Sequence, residues 1–380
     1  MSSESRVWSL RRRAVVQCGV SCLLACSSAG CGRDVDPCVE DEGYLGEALV
    51  GCLAGHTPVQ LWSDTPKTRP EGASTAGAQS LVLDEMHVYF STHDERVLRM
   101  AKGGGEALEL VPVSTCSIRG LAVDETWLYY TRNCGDELYY LRSSIERVPK
   151  EGGQPQLLAE HPHESRNIQV HDRFLLWHHV PLGTQESFLR ILDLASSERP
   201  GLTDPFTPLA SVVGPILPFT LRGSDALWFD SETMALVQTS MVGGASTATS
   251  MAGALNGTWV EKLMTDGTCI YPHEREIVGG GRIAYRVGKL CDETGEPTAA
   301  MAAPAAEEMA VRDGTLYGAG DNDDASDAYV SRVYRWAPPE FEPVRLAAGL
   351  HFAEGIAVDE QSLYVLDDTL DELRLHRIER

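Results

Sequence analysis

From about residue 81 to the end of the chain, short apolar runs alternate with turns marked by Asp or Gly, and the order of the runs repeats. One unit reads as an apolar strand, an Asp or Gly turn, an aromatic second strand, and a third strand that often carries Arg. The first two strands run Leu81-Val82-Leu83-Asp84 to Tyr89-Phe90, Leu121-Ala122-Val123-Asp124 to Tyr129-Tyr130, and Ile168-Gln169-Val170-His171-Asp172 to Trp177. They continue as Thr220-Leu221-Arg222-Gly223 to Trp228-Phe229, Lys262-Leu263-Met264-Thr265-Asp266 to Tyr271, Ala310-Val311-Arg312-Asp313 to Tyr317, and Ile356-Ala357-Val358-Asp359 to Tyr364. The marker aromatics Tyr89, Tyr129, Trp177, Trp228, Tyr271, Tyr317 and Tyr364 lie 40, 48, 51, 43, 46 and 47 residues apart. That is the interval of one four-stranded propeller blade. Such a blade cannot bury both faces of its small sheet alone, so blades must stack around an axis.

Third strands such as Val97-Leu98-Arg99-Met100, Ile145-Glu146-Arg147-Val148 and Val333-Tyr334-Arg335-Trp336 alternate apolar and charged residues, as a strand near a wet rim requires. Unit four departs from the rest, because Leu236-Val237-Gln238-Thr239 has no Arg. A Gly-rich turn and an outer strand follow, as in Lys150-Glu151-Gly152-Gly153-Gln154-Pro155-Gln156-Leu157-Leu158. The last unit stops after its third strand, and Thr57-Pro58-Val59-Gln60-Leu61-Trp62 has the pattern of an outer strand. Residues near 57 to 63 are therefore expected to complete the last blade and close the ring.

The repeat resembles those of YWTD-type and TolB-like propellers, most visibly in Ala122-Val123-Asp124, Leu128-Tyr129-Tyr130-Thr131 and Ile145-Glu146-Arg147 before Gly152-Gly153. Those families imply six blades, whereas seven units are counted here. The expectation is an all-β chain forming a single seven-bladed β-propeller of four-stranded blades over residues 57–380, with six blades the main alternative.

The first residues change the picture from fold to location. Arg6 and Arg11 to Arg13 precede a short apolar run, Ala14 to Ala25, too short for the roughly 20 residues a membrane-spanning helix needs. Leu23-Leu24-Ala25-Cys26 and Ser28-Ala29-Gly30-Cys31 each resemble the lipobox of bacterial lipoproteins, which implies lipid on Cys26 or Cys31. Residues 1–30 are thus read as a lipoprotein signal peptide and 31–56 as a linker. The implied location is the periplasm or cell surface, on the outer membrane. Loss of the signal removes four arginines and Glu4, taking the net charge from −23 to −26. That charge repels phosphate backbones and argues against nucleic-acid binding.

Export also changes the reading of the cysteines. Cys38 with Cys52, Cys116 with Cys134, and Cys269 with Cys291 are expected as three disulfides in an oxidising compartment. In propeller topology Cys116 and Cys134 fall on one face of blade two, and Cys269 and Cys291 on the opposite face of blade five.

Candidate chemistry is sparse. The same topology puts His161, His163 and Glu164 where the chain enters blade three, and His178 and His179 after its second strand, a group able to hold a divalent metal such as Zn²⁺. Solvated loop histidines are the plainer account. Asp321-Asn322-Asp323-Asp324 with Asp327 departs from the EF-hand calcium pattern, having Ser326 and Arg332 where Gly and Glu belong. Gly103-Gly104-Gly105 and Gly279-Gly280-Gly281 read as turns, and no nucleophile elbow, HExxH segment or dinucleotide fingerprint occurs. The expected function is a non-catalytic envelope lipoprotein, membrane-bound through its lipid, whose propeller is a scaffold for a protein, peptide or glycan. The alternative is a hydrolase or lyase with its site at the channel mouth, metal-assisted through the histidines.

Overall fold

The recurrent Asp of the sequence builds the first hairpin in four of the seven blades. Asp84 Oδ1 accepts from the amides of Met86 and His87 at 2.8 and 2.7 Å, and Asp124, Asp266 and Asp359 repeat the same two bonds two and three residues ahead. These are side-chain caps that fold the chain back on itself. The second carboxylate oxygen takes the tyrosine hydroxyl five residues on, at 2.7 Å from Tyr89, 2.6 Å from Tyr129 and 2.9 Å from Tyr271. The spacing Asp-x-x-x-x-Tyr thus encodes both the turn and the anchorage of the following strand.

In the computed structural model these hairpins assemble into seven four-stranded antiparallel sheets, with no helix among the described residues. Those residues are 58–64, 80–136, 139–181, 186–195, 209–213, 218–243, 246–250, 259–278, 282–291, 299–303, 308–321, 331–338, 343–369 and 372–380. The chain divides at Glu40/Asp41 into two units, and all described residues belong to the second.

Strand β1 (Val59–Asp64) comes first. Blade 1 is β2 (Leu81–Leu83), β3 (His87–Ser91), β4 (Val97–Ala101) and β5 (Leu108–Val111). Blade 2 is β6 (Ser117–Val123), β7 (Trp127–Asp136), β8 (Tyr139–Pro149) and β9 (Gln156–His161). Blade 3 is β10 (Glu164–His171), β11 (Phe174–Val180), β12 (Glu186–Asp193) and β13 (Ala210–Val213). Blade 4 is β14 (Phe219–Arg222), β15 (Asp225–Asp230), β16 (Ala235–Ser240) and β17 (Thr247–Ser250). Blade 5 is β18 (Trp259–Thr265), β19 (Ile270–Val278), β20 (Arg282–Lys289) and β21 (Ala299–Ala303). Blade 6 is β22 (Glu308–Arg312), β23 (Thr315–Asp321), β24 (Ser331–Trp336) and β25 (Pro343–Leu350). Blade 7 is β26 (Phe352–Val358), β27 (Ser362–Asp368) and β28 (Leu373–Glu379), completed by β1.

Every innermost strand lies against those of the two neighbouring blades, β26 against β2 included, so seven blades make a closed ring and the six-bladed alternative falls. Closure is as expected: β1 pairs antiparallel with β28, Val59 opposite Arg377 and Asp64 opposite Leu373. We call the side where the chain enters each inner strand, and where second and third strands join, the loop face; the other two turns lie on the turn face.

Buried apolar residues fall into seven clusters, one per seam between blades. Here the sequence alignment of the marker aromatics needs correction. Tyr89, Tyr129, Tyr271, Tyr317 and Tyr364 pack toward the following blade, whereas Trp177 and Trp228 pack toward the preceding one. Adjacent strand residues point to opposite faces, so a one-residue offset in spacing reverses the side. In blades 3 and 4 the side facing forward is filled by Leu176 and Leu227 instead.

Polar clasps tie seams together on the turn face. Lys150 of blade 2 reaches Asp84 of blade 1 at 2.7 Å, while Arg99 of blade 1 donates to the Lys150 carbonyl at 2.7 Å. The pair recurs where the ring closes, Lys102 to Asp359 at 2.8 Å and Arg377 to the Lys102 carbonyl at 3.4 Å. Burial pushes the Asp84 carboxyl up, but bonds from Lys150, Tyr89 and two amides outweigh it and hold the group well below its ordinary value.

Candidate functional site

Three of the four histidines singled out in the sequence lie in strands, not in solvated loops. His161 is the last residue of β9, and His178 and His179 sit inside β11, opposite Arg166 and Ser165 of β10. They are 2, 0 and 4% exposed. Strand alternation splits the pair: His179 faces blade 2 with Trp177, and His178 faces the blade 4 side with Arg166. The His161 ring meets His179 at 5.2 Å and Trp177 at 5.4 Å between centroids, and His179 lies 6.4 Å from Phe188. His163, half-buried, occupies the connection to β10 with φ +73°.

Burial, with the charge of Arg190 adding to it, pushes His161 down to about 4. Burial likewise lowers His178 to about 3, assisted by Arg166, and His179 to about 3, assisted first by His161 and then Arg190. All three are neutral imidazoles at physiological pH. Beside them Asn133 of blade 2 exchanges two hydrogen bonds with the Ser165 backbone, at 2.8 and 2.9 Å, and the Ser143 and Ser165 hydroxyls meet at 2.8 Å. The arrangement is a polar seam that fixes β10 against blade 2. Among the described residues no group of three or more His, Cys, Asp or Glu side chains is placed to hold a metal ion, so no step through a metal is derived.

A second polar centre, absent from the sequence reading, lies on the loop face of blade 7. Asp367, 1% exposed, accepts the His351 amide at 2.5 Å; its other oxygen lies 3.5 Å from His376 Nε2 and 3.9 Å from His351 Nδ1. Ser331 of blade 6 donates its hydroxyl to the His351 carbonyl at 2.7 Å and accepts the Ala353 amide at 3.1 Å. The next residue, Asp368, turns to blade 1 and meets His93 Nε2 at 2.9 Å. The signal available in the sequence was the doublet Asp367-Asp368, two carboxylates ending the apolar run Leu363 to Leu366. Half-exposed His351 is held through its backbone by two blades on the loop face, with its ring Nδ1 3.9 Å from Asp367.

The mouth of the ring is shaped by bulges. Asn167, Glu261 and Glu354 each interrupt the register of an inner strand near the loop face, and β6 has its bulge at Arg119-Gly120. Bulges free a residue from the ladder and re-aim it. Gly120 is required there, because a Cβ would stand 3.0 Å from the Ile168 amide nitrogen of blade 3. Around the mouth Arg275 meets Glu261 at 3.1 Å, Lys262 meets Glu308 at 3.3 Å, and Trp259 is 49% exposed.

Two expected disulfides are present, Cys116–Cys134 on the loop face and Cys269–Cys291 on the turn face. Cys26, Cys31, Cys38 and Cys52 lie outside the described residues, as do Gly279 to Gly281 and the acidic run after Asp321. Gly104 and Gly105, with φ +89° and +120°, form a turn as read.

No protein-family model matches the chain, and no curated protein matches it. Solved structures do. A chain of the mitotic checkpoint complex aligns over 85% of this chain and 95% of its own, with TM-score 0.59 and 8% identity. The β-propeller domain of the trilobed protease from Pyrococcus furiosus, described as having an open velcro topology, aligns over 80% and 94%, with TM-score 0.53 and 13% identity. At such identities the likeness establishes the fold alone: the chain is a β-propeller, and here strand β1 closes it.

Proposed function

We propose that the chain is an exported lipoprotein, anchored through Cys26 or Cys31, whose propeller is a non-catalytic scaffold binding a protein, peptide or glycan across its loop face. The observation that carries the binding reading is the bulged inner strands, which bring Arg119, Asn167, Glu261 and Glu354 to one level of the ring beside exposed Trp259. A rigid ring bordered by polar groups of both signs and an aromatic surface suits recognition of a polar ligand. The lipobox-like segments and the two disulfides support export.

Glycan and peptide arrays probed with the full chain test the scaffold, with Glu261→Lys/Glu354→Lys as comparison. Ligands retained by the native chain and weakened tenfold or more by the reversal support it; ligands bound equally by both place recognition elsewhere. Incorporation of labelled fatty acid, lost on Cys26→Ser or Cys31→Ser, tests the anchor.

The His351–Asp367 pair favours a second reading, acid–base chemistry on the same face. A hydrolytic or lyase activity found in the native chain and abolished by His351→Gln would replace the scaffold reading.

A further inference from the structure

Histidines meet two kinds of neighbour in this ring. In blades 1 and 7 imidazoles stand beside carboxylates, His93 2.9 Å from Asp368 and His376 3.5 Å from Asp367, so a proton gained there finds a counter-charge. Around blade 3 they stand beside guanidinium groups instead. His178 lies opposite Arg166 in the ladder, and Trp177, which shares a side of the sheet with His179, lies opposite Arg190. Neither ring nitrogen of His178 has a hydrogen-bond partner, and nor has Nδ1 of His179.

Both sides of the blade are involved. On the blade 2 side His161 and His179 meet beside the row that fixes β10, because Ser165 lies opposite His179 and bonds to Asn133 and Ser143 of blade 2. The charged groups facing that side among the described residues are Arg190 and, at the exposed end of β12, Glu186. Glu160, next to His161 on β9, pairs with Arg142, and His163 occupies the connection to β10. On the blade 4 side His178 has Arg166, whose guanidinium Glu164 holds at 2.6 Å. Blade 4 brings Asp230, which accepts from the Thr233 hydroxyl at 2.5 Å and the Glu232 amide at 3.0 Å. Gln169 of β10 ties this side by donating to the Phe219 carbonyl at 3.0 Å. A proton gained by any of the three rings thus adds positive charge to a buried seam beside a guanidinium.

We propose that blade 3 is released by acid: protonation of His161, His178 and His179 loosens it from blades 2 and 4 and draws Arg119 and Asn167 away from the loop-face mouth. Asn167 rides on β10 itself, and the Arg119-Gly120 bulge leans against β10 at Ile168. For what the mouth holds, this regulation rests on the scaffold reading. Docked, the rings are kept neutral, by burial first and by neighbouring charge second. Released, each takes up its proton in the ordinary imidazole range, so falling pH favours release. Each ring multiplies the released fraction by about ten between pH 7.5 and 5.5, and the three together by on the order of 1000.

Amide exchange of the full chain at pH 7.5 and 5.5, corrected for the intrinsic pH dependence of exchange, tests this. Protection along β10 and β11 falls on the order of 1000-fold and ends at least about a hundredfold below that of β23 and β24 in blade 6. His178→Gln/His179→Gln cuts the fall to about tenfold, the share of the one ring left. Ser143→Cys/Ser165→Cys, a crosslink where the two hydroxyls meet at 2.8 Å, suppresses it in β10. Protection lost in step and to the same level in blades 3 and 6, or a fall indifferent to the glutamines, overturns the proposal. Should the variants misfold, the comparison of the two blades in the native chain decides. Glycan and peptide arrays run at both pH values separate the readings. Ligands held at pH 7.5 and shed at 5.5 support both, and ligands held equally at both overturn the regulation alone. Arrays blank at both remove the scaffold, and exchange still decides the release of blade 3.

Discussion

At the scale of single residues, the molecule depends on a few positions where neighbouring blades come too close for a substitute. Gly120→Ala sets a methyl group against the Ile168 amide and forces the inner strands of blades 2 and 3 apart. The expected cost is about 1–3 kcal/mol, the usual range for overpacking, read as a lower denaturation midpoint with an unchanged slope. The three buried histidines make a different prediction. Their folded values, about 4 for His161 and about 3 for His178 and His179, lie below the ordinary 6.5, so the unfolded chain binds protons first as pH falls. Stability is therefore full above pH 6.5 and declines from there toward pH 4, each histidine contributing a slope of about 1.4 kcal/mol per pH unit. Denaturation midpoints of the native chain between pH 7 and 5 should fall more steeply than those of His179→Phe, and parallel curves would refute the assignment. These histidines were visible in the sequence, but their burial was not. Sequence order brings His178 and His179 together, whereas strand alternation sends one to each side of the sheet. Asp367 was overlooked for a different reason: the doublet Asp367-Asp368 marks it locally, but its partners His351 and His376 come from other elements, which the doublet does not reveal.

At the scale of elements, the hairpin was the most legible unit, because Asp84, Asp124, Asp266 and Asp359 fold their turns with bonds to amides only two and three residues away. Face assignment was less so. Trp177 and Trp228 match the tyrosines in kind and interval but point backward, an error that spacing alone cannot expose. Covalent links act at the same scale. The Cys116–Cys134 bridge spans 18 residues and joins the start of β6 to the far end of β7. Cys116→Ser/Cys134→Ser should lower stability by about 3 kcal/mol, the chain-entropy value for a loop of that size, with exchange rising first at the loop-face end of blade 2. The closing strand offers another test. Trp62 packs edge-on to Phe90 of blade 1 at 4.9 Å, and Arg96 pairs with Asp64. Trp62→Ala should cost about 2 kcal/mol and speed exchange along β28 before any other strand. Uniform loss of protection around the ring would argue that β1 is no weaker than the other outer strands.

At the scale of the whole molecule, the recurrence of one motif at blade-length intervals foretold a ring, and the ends of the chain foretold how it shuts. What recurrence could not foretell is where the ring departs from itself: the backward tryptophans and the polar seam at blade 3. Those departures carry the individuality of the molecule, because the shared residues are occupied in holding blades together. The direction of β1 has a mechanical corollary. Val59 lies beside Arg377 at the turn face and Asp64 beside Leu373 at the loop face, so tension applied ahead of residue 59 runs along the strand and loads its ladder with β28 in shear, all rungs at once rather than one after another. A disk tugged by its leading end would resist through the one joint where the polypeptide's beginning grips its finish.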